Sequence, residues 1–166
     1  PVISEKIPAV DEVIRGCVSW KEIRYLLRED KRRLRMMLYP DGSRNPFGFS
    51  PAWLCVWFHR LSHYCYHRRW NRLSRIFWQL NVMVTGADIN PSSDLGAGLV
   101  IPYPAGISIH ASSGRNLTVM GLCAISGGLS EIPGMPGPQG RPLLGDDVYL
   151  SYHSGAYGPV RIGNHV

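Results

Sequence analysis

The chain has 166 residues, 45% of them apolar, which is enough to build a core and excludes disorder over most of its length. A net charge of +6 points to an anionic partner such as a phosphorylated cofactor, and no run nears the roughly 20 apolar residues that cross a bilayer. Without a secretion-type opening, and with Cys17, Cys55, Cys65 and Cys123 showing neither CxxC spacing nor a regular framework, a soluble cytoplasmic protein with reduced thiols packed as small hydrophobes is expected.

Val10, Val13, Ile14, Cys17 and Val18 recur at helical spacing, and Ile23, Leu26, Leu27, Leu34, Met37 and Leu38 repeat the pattern after Trp20. Tyr39-Pro40-Asp41-Gly42 is a stop. Ser50-Pro51 then supplies a hydroxyl N-cap with proline at the first helical position, opening a helix through Trp53, Leu54, Trp57, Phe58, Leu61 and Cys65. Leu73, Ile76, Phe77, Leu80 and Val84 mark a fourth segment of the same period. Arg60, Arg68, Arg69, Arg72 and Arg75 make this stretch basic, and a solvated helix face accounts for that without nucleic acid or a membrane surface. His59, His63 and His67 stand at i, i+4 and i+8. The outer two sit about 12 Å apart along a helix and cannot share one ion, and no carboxylate or thiolate ligand lies close by in sequence, so no metal is expected.

Glycine and proline crowd into the second half, and the composition changes near residue 86. From Ile89 the chain reads in sixes, INPSSD, LGAGLV, IPYPAG and ISIHAS, each opening on an aliphatic residue. After an irregular stretch LTVMGL and CAISGG follow, and the pattern resumes as LLGDDV, YLSYHS, GAYGPV and RIGNHV with slight drift. That period signals a parallel β-helix in which three short strands and three corners make a triangular coil of about eighteen residues. The expected fold is therefore α+β, a helical region over residues 1–86 followed by a left-handed parallel β-helix, a hexapeptide-repeat solenoid, over 87–166. The glycine- and proline-rich segment 126–142 breaks the count and reads as a loop extruded from a corner.

The segment from HRLSH through TGADINP to LGAGLVI and AGI resembles the serine O-acetyltransferase family, and the ending RPLLGDDVYLSYHSGAYGPVRIGNHV is similar to its exopolysaccharide or specialised-metabolite branch. The resemblance covers about two thirds of the chain. It implies acetyl-CoA as acyl donor, a small acceptor such as serine, no metal cofactor, and a homotrimer with sites between subunits. In that family an aspartate-histidine pair supplies the general base, and here Pro102 and Tyr103 stand in its place. A phenol of pKa near 10 is a poor base at neutral pH, whereas an imidazole near 6.5 suits the task.

The family's second histidine follows the extruded loop, where this chain has Gly140-Arg141-Pro142; Arg141 keeps a guanidinium suited to a carboxylate, and Asp88 matches an acidic residue of the substrate pocket. His153 stands where the family has a glycine beside the thioester, and Tyr152 beside it replaces an alanine. The resemblance thus implies Tyr103 and His153 as catalytic candidates, with His110 as a further source of imidazole, Asp88 and Arg141 as substrate-binding residues, and Ser151, Tyr152 and Gly155 against the cofactor. Two functions stay open: a CoA-dependent O-acyltransferase with an altered or relocated base, and a degenerate homologue retained as a binding or assembly module.

Overall fold

The computed structural model describes residues 19–40, 49–127 and 140–166. The helix expected over Val10–Val18 and most of the extruded loop lie outside these residues. Among the described residues three helices come first, α1 (Trp20–Leu38), α2 (Pro51–His67) and α3 (Asn71–Thr85). Ser19 and Glu22 close a reciprocal capping box on α1: the Ser19 amide donates to the Glu22 carboxylate at 2.9 Å and the Glu22 amide to Ser19 Oγ at 3.2 Å. The α1 helix gives way at Tyr39, ahead of Pro40. Ser50 caps α2 with Pro51 in its first turn, and α3 ends on Gly86 in the left-handed conformation, after which β1 begins at Ala87.

Ten short strands in three parallel sheets follow among the described residues. Sheet A orders β1 (Ala87–Ile89), β3 (Ile107–Ile109), β6 (Ala124–Ser126) and β9 (Gly155–Tyr157). Sheet B runs from β2 (Asp94–Leu95) through β4 (Ser112–Ser113) and β7 (Leu143–Leu144) to β10 (Arg161–Ile162). Sheet C pairs β5 (Thr118–Val119) with β8 (Tyr149–Leu150), and Val100 bridges to Thr118 below them. Successive strands along the chain thus visit sheets A, B and C in turn, the arrangement of a three-sided solenoid. Ser126 still belongs to β6, so the departure from the coil starts later than the hexad count suggests.

The interior is built by ladders. Ile89, Ile109 and Ile125 align in sheet A, where Ala156 pairs with Ile125, and Leu95, Ser113, Leu144 and Ile162 align in sheet B. Most of these side chains are fully buried with Leu99, Ile101, Leu117 and Val119 in one apolar cluster that also takes in Cys55 and Val56 of α2. Ser113 is the exception that hides the period: it is 2% exposed in a position where the other coils place an aliphatic, and its hydroxyl turns to the Gly114 carbonyl.

Corners after sheet B carry a second ladder, Gly96, Gly114, Gly145 and Gly163. A Cβ on Gly114 would lie 2.8 Å from the Gly145 carbonyl carbon and 2.9 Å from the Asp146 amide, both backbone atoms that cannot rotate away. Gly163 has nothing within 4 Å of that position. Gly114→Ala is therefore expected to lower stability by about 1–3 kcal/mol or more through overpacking, while Gly163→Ala changes it little. Urea unfolding of both variants checks this, and an equal response would refute the steric account.

The helices are fastened to the first coil by buried charge. Asp30 of α1 and Arg60 of α2 are 0% and 1% exposed, with Arg60 Nε donating to Asp30 at 2.8 Å and Nη2 at 3.1 Å. Arg60 also donates to the Leu95 and Gly96 carbonyls, and Asp30 accepts from the Gly98 and Leu99 amides, each at 2.8 Å. Arg33 adds bonds to the Gly98 and Leu117 carbonyls and to Thr118.

His59 is 1% exposed, and neither of its ring nitrogens has a hydrogen-bond partner among the described residues. Burial, reinforced by the Arg60 and His63 charges, holds its pKa well below 6.5, so the folded chain keeps it neutral. The unfolded chain binds the extra proton below about pH 6.5, so this contribution is present above that pH and is lost as acid is added, by up to about 1.4 kcal/mol per pH unit. His59→Leu is expected to flatten that fall in stability between pH 6.5 and 5, measured by urea midpoints; an unchanged slope would show that His59 is not its source.

Candidate functional site

The corner of the prism between sheets A and B gathers Asp88, Ser92, His110 and Arg141. Asp88 sits outward on β1, where the Trp78 indole of α3 donates to its Oδ1 at 2.8 Å. Asn90 folds the corner by accepting from the Ser92 amide at 2.9 Å and from the Ser92 hydroxyl at 2.8 Å. Arg141 re-enters the coil here, and its Nη1 donates to the Ser92 carbonyl at 2.8 Å and to Ser92 Oγ at 3.3 Å. His110, half-buried one coil above, places Nε2 3.3 Å from the same hydroxyl.

Because Ser92 spends its proton on Asn90, its oxygen accepts from His110 Nε2–H, which leaves the lone pair of the ring on Nδ1. Burial lowers the His110 pKa below 6.5 and the Arg141 charge lowers it further, while Asp88 opposes them. The imidazole is neutral at pH 7 and able to take a proton. Beside this corner a cleft of about 450 Å³ is lined by Arg72, Arg75, Trp78, Asn90 and Pro91.

Tyr103, Tyr152 and His153 lie at another corner, between sheets C and A. The first-coil corner that holds Pro102, Tyr103 and Pro104 is longer than those above it, so Ile89 pairs with Ile109 while the other faces keep the regular repeat. Tyr103 is 54% exposed and its ring lies 5.7 Å from that of Tyr152. His153 is exposed with φ of 58°, a left-handed conformation that suits glycine better than an L side chain. The Ser151 carbonyl accepts from Cys123 Sγ at 2.8 Å and from Ser154 Oγ at 2.6 Å, which shapes this corner, and Gly155 opens β9. An apolar cleft of about 470 Å³ between Tyr103, Pro104, Ala52 and Val84 adjoins it.

Within one chain the residues expected to share a pocket are thus divided: Asp88 and Arg141 meet at one corner, and Tyr103 and His153 stand at the other. Hexad counting treats His110 as a corner histidine like His153, and does not reveal that Ser92 and Arg141 close around it. The described cysteines, Cys55, Cys65 and Cys123, are free and buried, and burial pushes the Cys55 thiol up to about 12, which makes it inert. Cys17 lies outside the described residues. Among the described residues no helix is long and apolar enough to cross a membrane.

No protein-family model matches the chain. It is 30% identical over 115 residues to a serine acetyltransferase of Mycobacterium tuberculosis, covering 68% of this chain and 48% of that protein. With a serine acetyltransferase of Bacillus subtilis it shares 26% identity over 110 residues, 65% of this chain and 48% of the other. The chain spans about half the length of these curated relatives. Among solved structures, the Neisseria gonorrhoeae serine acetyltransferase in complex with serine superposes with a TM-score of 0.74 at 22% identity, covering 93% of this chain and 62% of that one. The Brucella abortus serine acetyltransferase in complex with coenzyme A gives 0.73 at 19% identity, covering 93% and 60%. By sequence over two thirds of its length the chain is similar to serine acetyltransferases, and it shares the fold of their solved structures over nearly all of it.

Proposed function

We propose that the chain is a cytoplasmic CoA-dependent O-acyltransferase that moves an acetyl group from acetyl-CoA to the hydroxyl of serine or a related small acceptor, with His110 as its base. The observation that carries this reading is the convergence of Asp88, Ser92, His110 and Arg141 on one corner. Asp88 suits the ammonium of an amino-acid acceptor. Nη1 of Arg141 is held by Ser92, which leaves its other donors for the acceptor carboxylate. Neutral His110 takes the hydroxyl proton as the oxygen attacks the thioester carbonyl; the C–S bond breaks and the departing thiolate is protonated by the imidazolium.

We read residues 1–86 as a helical base and 87–166 as a solenoid of left-handed coils. In a homotrimer with parallel axes, the corner of Tyr103, Tyr152 and His153 in one copy faces the corner of His110 and Arg141 in the next. Tyr103 then serves as a hydrogen-bond donor to the thioester oxygen rather than as a proton acceptor, and Ser151 to Gly155 lie along the cofactor. Removal of both family histidines favours the second reading, a module that binds without turnover.

Thiol release from acetyl-CoA in the presence of serine separates the two readings. Turnover that falls on Arg141→Ala through a KM raised roughly tenfold or more supports the transferase, since a charge-assisted pair is worth about 1.5–3 kcal/mol. CoA binding without thiol release, for serine and related hydroxyl acceptors alike, refutes it.

A further inference from the structure

One cluster of ligating side chains borders the acceptor corner on its helix side, where the Arg141 charge also acts on Asp94. On α2, His63 and His67 are one turn apart, and β2 brings Asp94 against them: Asp94 Oδ1 is 3.5 Å from His63 Nε2 and 3.7 Å from His67 Nε2. All three atoms lie within 4.8 Å of one another. Neither His67 Nε2 nor Asp94 Oδ1, both buried, has a hydrogen-bond partner among the described residues.

His63 Nδ1 is 2.9 Å from the Pro91 carbonyl, which can only accept, so Nδ1 carries the proton and the lone pair of Nε2 faces Asp94. Two electron-rich atoms therefore confront each other in a buried space, and a positive charge between them would resolve the conflict.

We propose that His63, His67 and Asp94 form a binding site for a divalent zinc-like cation that clips the last turn of α2 to the first coil. Ligands about 2.0–2.2 Å from a tetrahedral ion stand about 3.3 Å from one another, within a few tenths of an ångström of the two distances to Asp94. Two imidazoles and one carboxylate suit zinc or its neighbours better than calcium or magnesium, which prefer oxygen alone. The Pro91 carbonyl is the outer partner that a ligating histidine commonly has, fixing the tautomer and aiming the ring. His67 and Asp94 keep 24% and 18% exposure, so an ion can enter and a water can complete the coordination. Helical spacing alone argues against one ion on His59, His63 and His67; the fold resolves this by leaving His59 out and supplying a carboxylate from the solenoid.

The test is competition for zinc between the purified chain and a chromophoric chelator, with cobalt absorption as a second readout. One equivalent is expected to bind, with the visible bands of tetrahedral cobalt, and His67→Gln or Asp94→Asn is expected to weaken binding roughly 100-fold or more. His165→Gln, at an exposed histidine beside Asp147, is expected to leave affinity unchanged. Circular dichroism confirms that each variant is folded, and His67→Gln, at a partly exposed position, decides the matter if Asp94→Asn misfolds. Failure of the parent chain to bind, or equal binding by folded His67→Gln, would overturn the proposal.

Discussion

Asp30→Ala is expected to destabilise the fold by roughly 3–5 kcal/mol, the range for breaking a buried ion pair from one side. The carboxylate takes four hydrogen bonds, two from Arg60 and one each from the Gly98 and Leu99 amides, in a place with no contact with solvent. Burial pushes the Asp30 carboxyl above its usual range, while the guanidinium and the two amides pull it back. With four donors and no acceptor turned toward it, we take the carboxylate as ionised. Truncation leaves the Arg60 charge buried without a counter-ion and strands two amides. The paired change Asp30→Leu with Arg60→Met is expected to recover part of the loss, because both charges are then absent, though the Gly98 and Leu99 amides stay unpaired. Urea unfolding measures each variant, and a loss below about 1 kcal/mol for Asp30→Ala would mean that the pair is not what fastens the helices to the coil.

His110→Ala is expected to reduce kcat/KM for acyl transfer by roughly 100- to 10,000-fold, the range for removing a general base. The pH profile offers an independent reading. Burial and Arg141 hold the imidazole below 6.5, so the acid limb of kcat/KM should fall below that pH in the parent chain. Arg141→Ala removes a positive neighbour and should move the limb upward; Asp88→Asn removes a negative one and should move it downward. A limb that ignores both substitutions, or a rate untouched by His110→Ala, would place the base elsewhere.

The hexads from Ile89 to Ile107 expose the solenoid because each opens on a side chain that the fold buries. Beyond them the period blurs for two physical reasons: the longer corner at Pro102–Pro104 shifts the phase, and a buried serine at position 113 carries no hydrophobic signal. Ser50-Pro51 announces its helix by local chemistry, whereas the link from Asp30 to Arg60 depends on three distant segments meeting and leaves no local trace. The same limit hides Asp94 from the histidines of α2. Single-chain motifs also merge what the prism separates, for Tyr103 and Asp88 are close in sequence yet occupy different corners.

The helical layer does more than lean on the first coil. Four carbonyls on its outer rim, those of Pro91, Leu95, Gly96 and Gly98, are engaged by His63, Arg60 and Arg33 rather than by another strand. A stack of parallel turns ends in a raw rim that would template the addition of a foreign strand. With arginine and histidine plugging those positions, the addition of a strand at this rim is blocked.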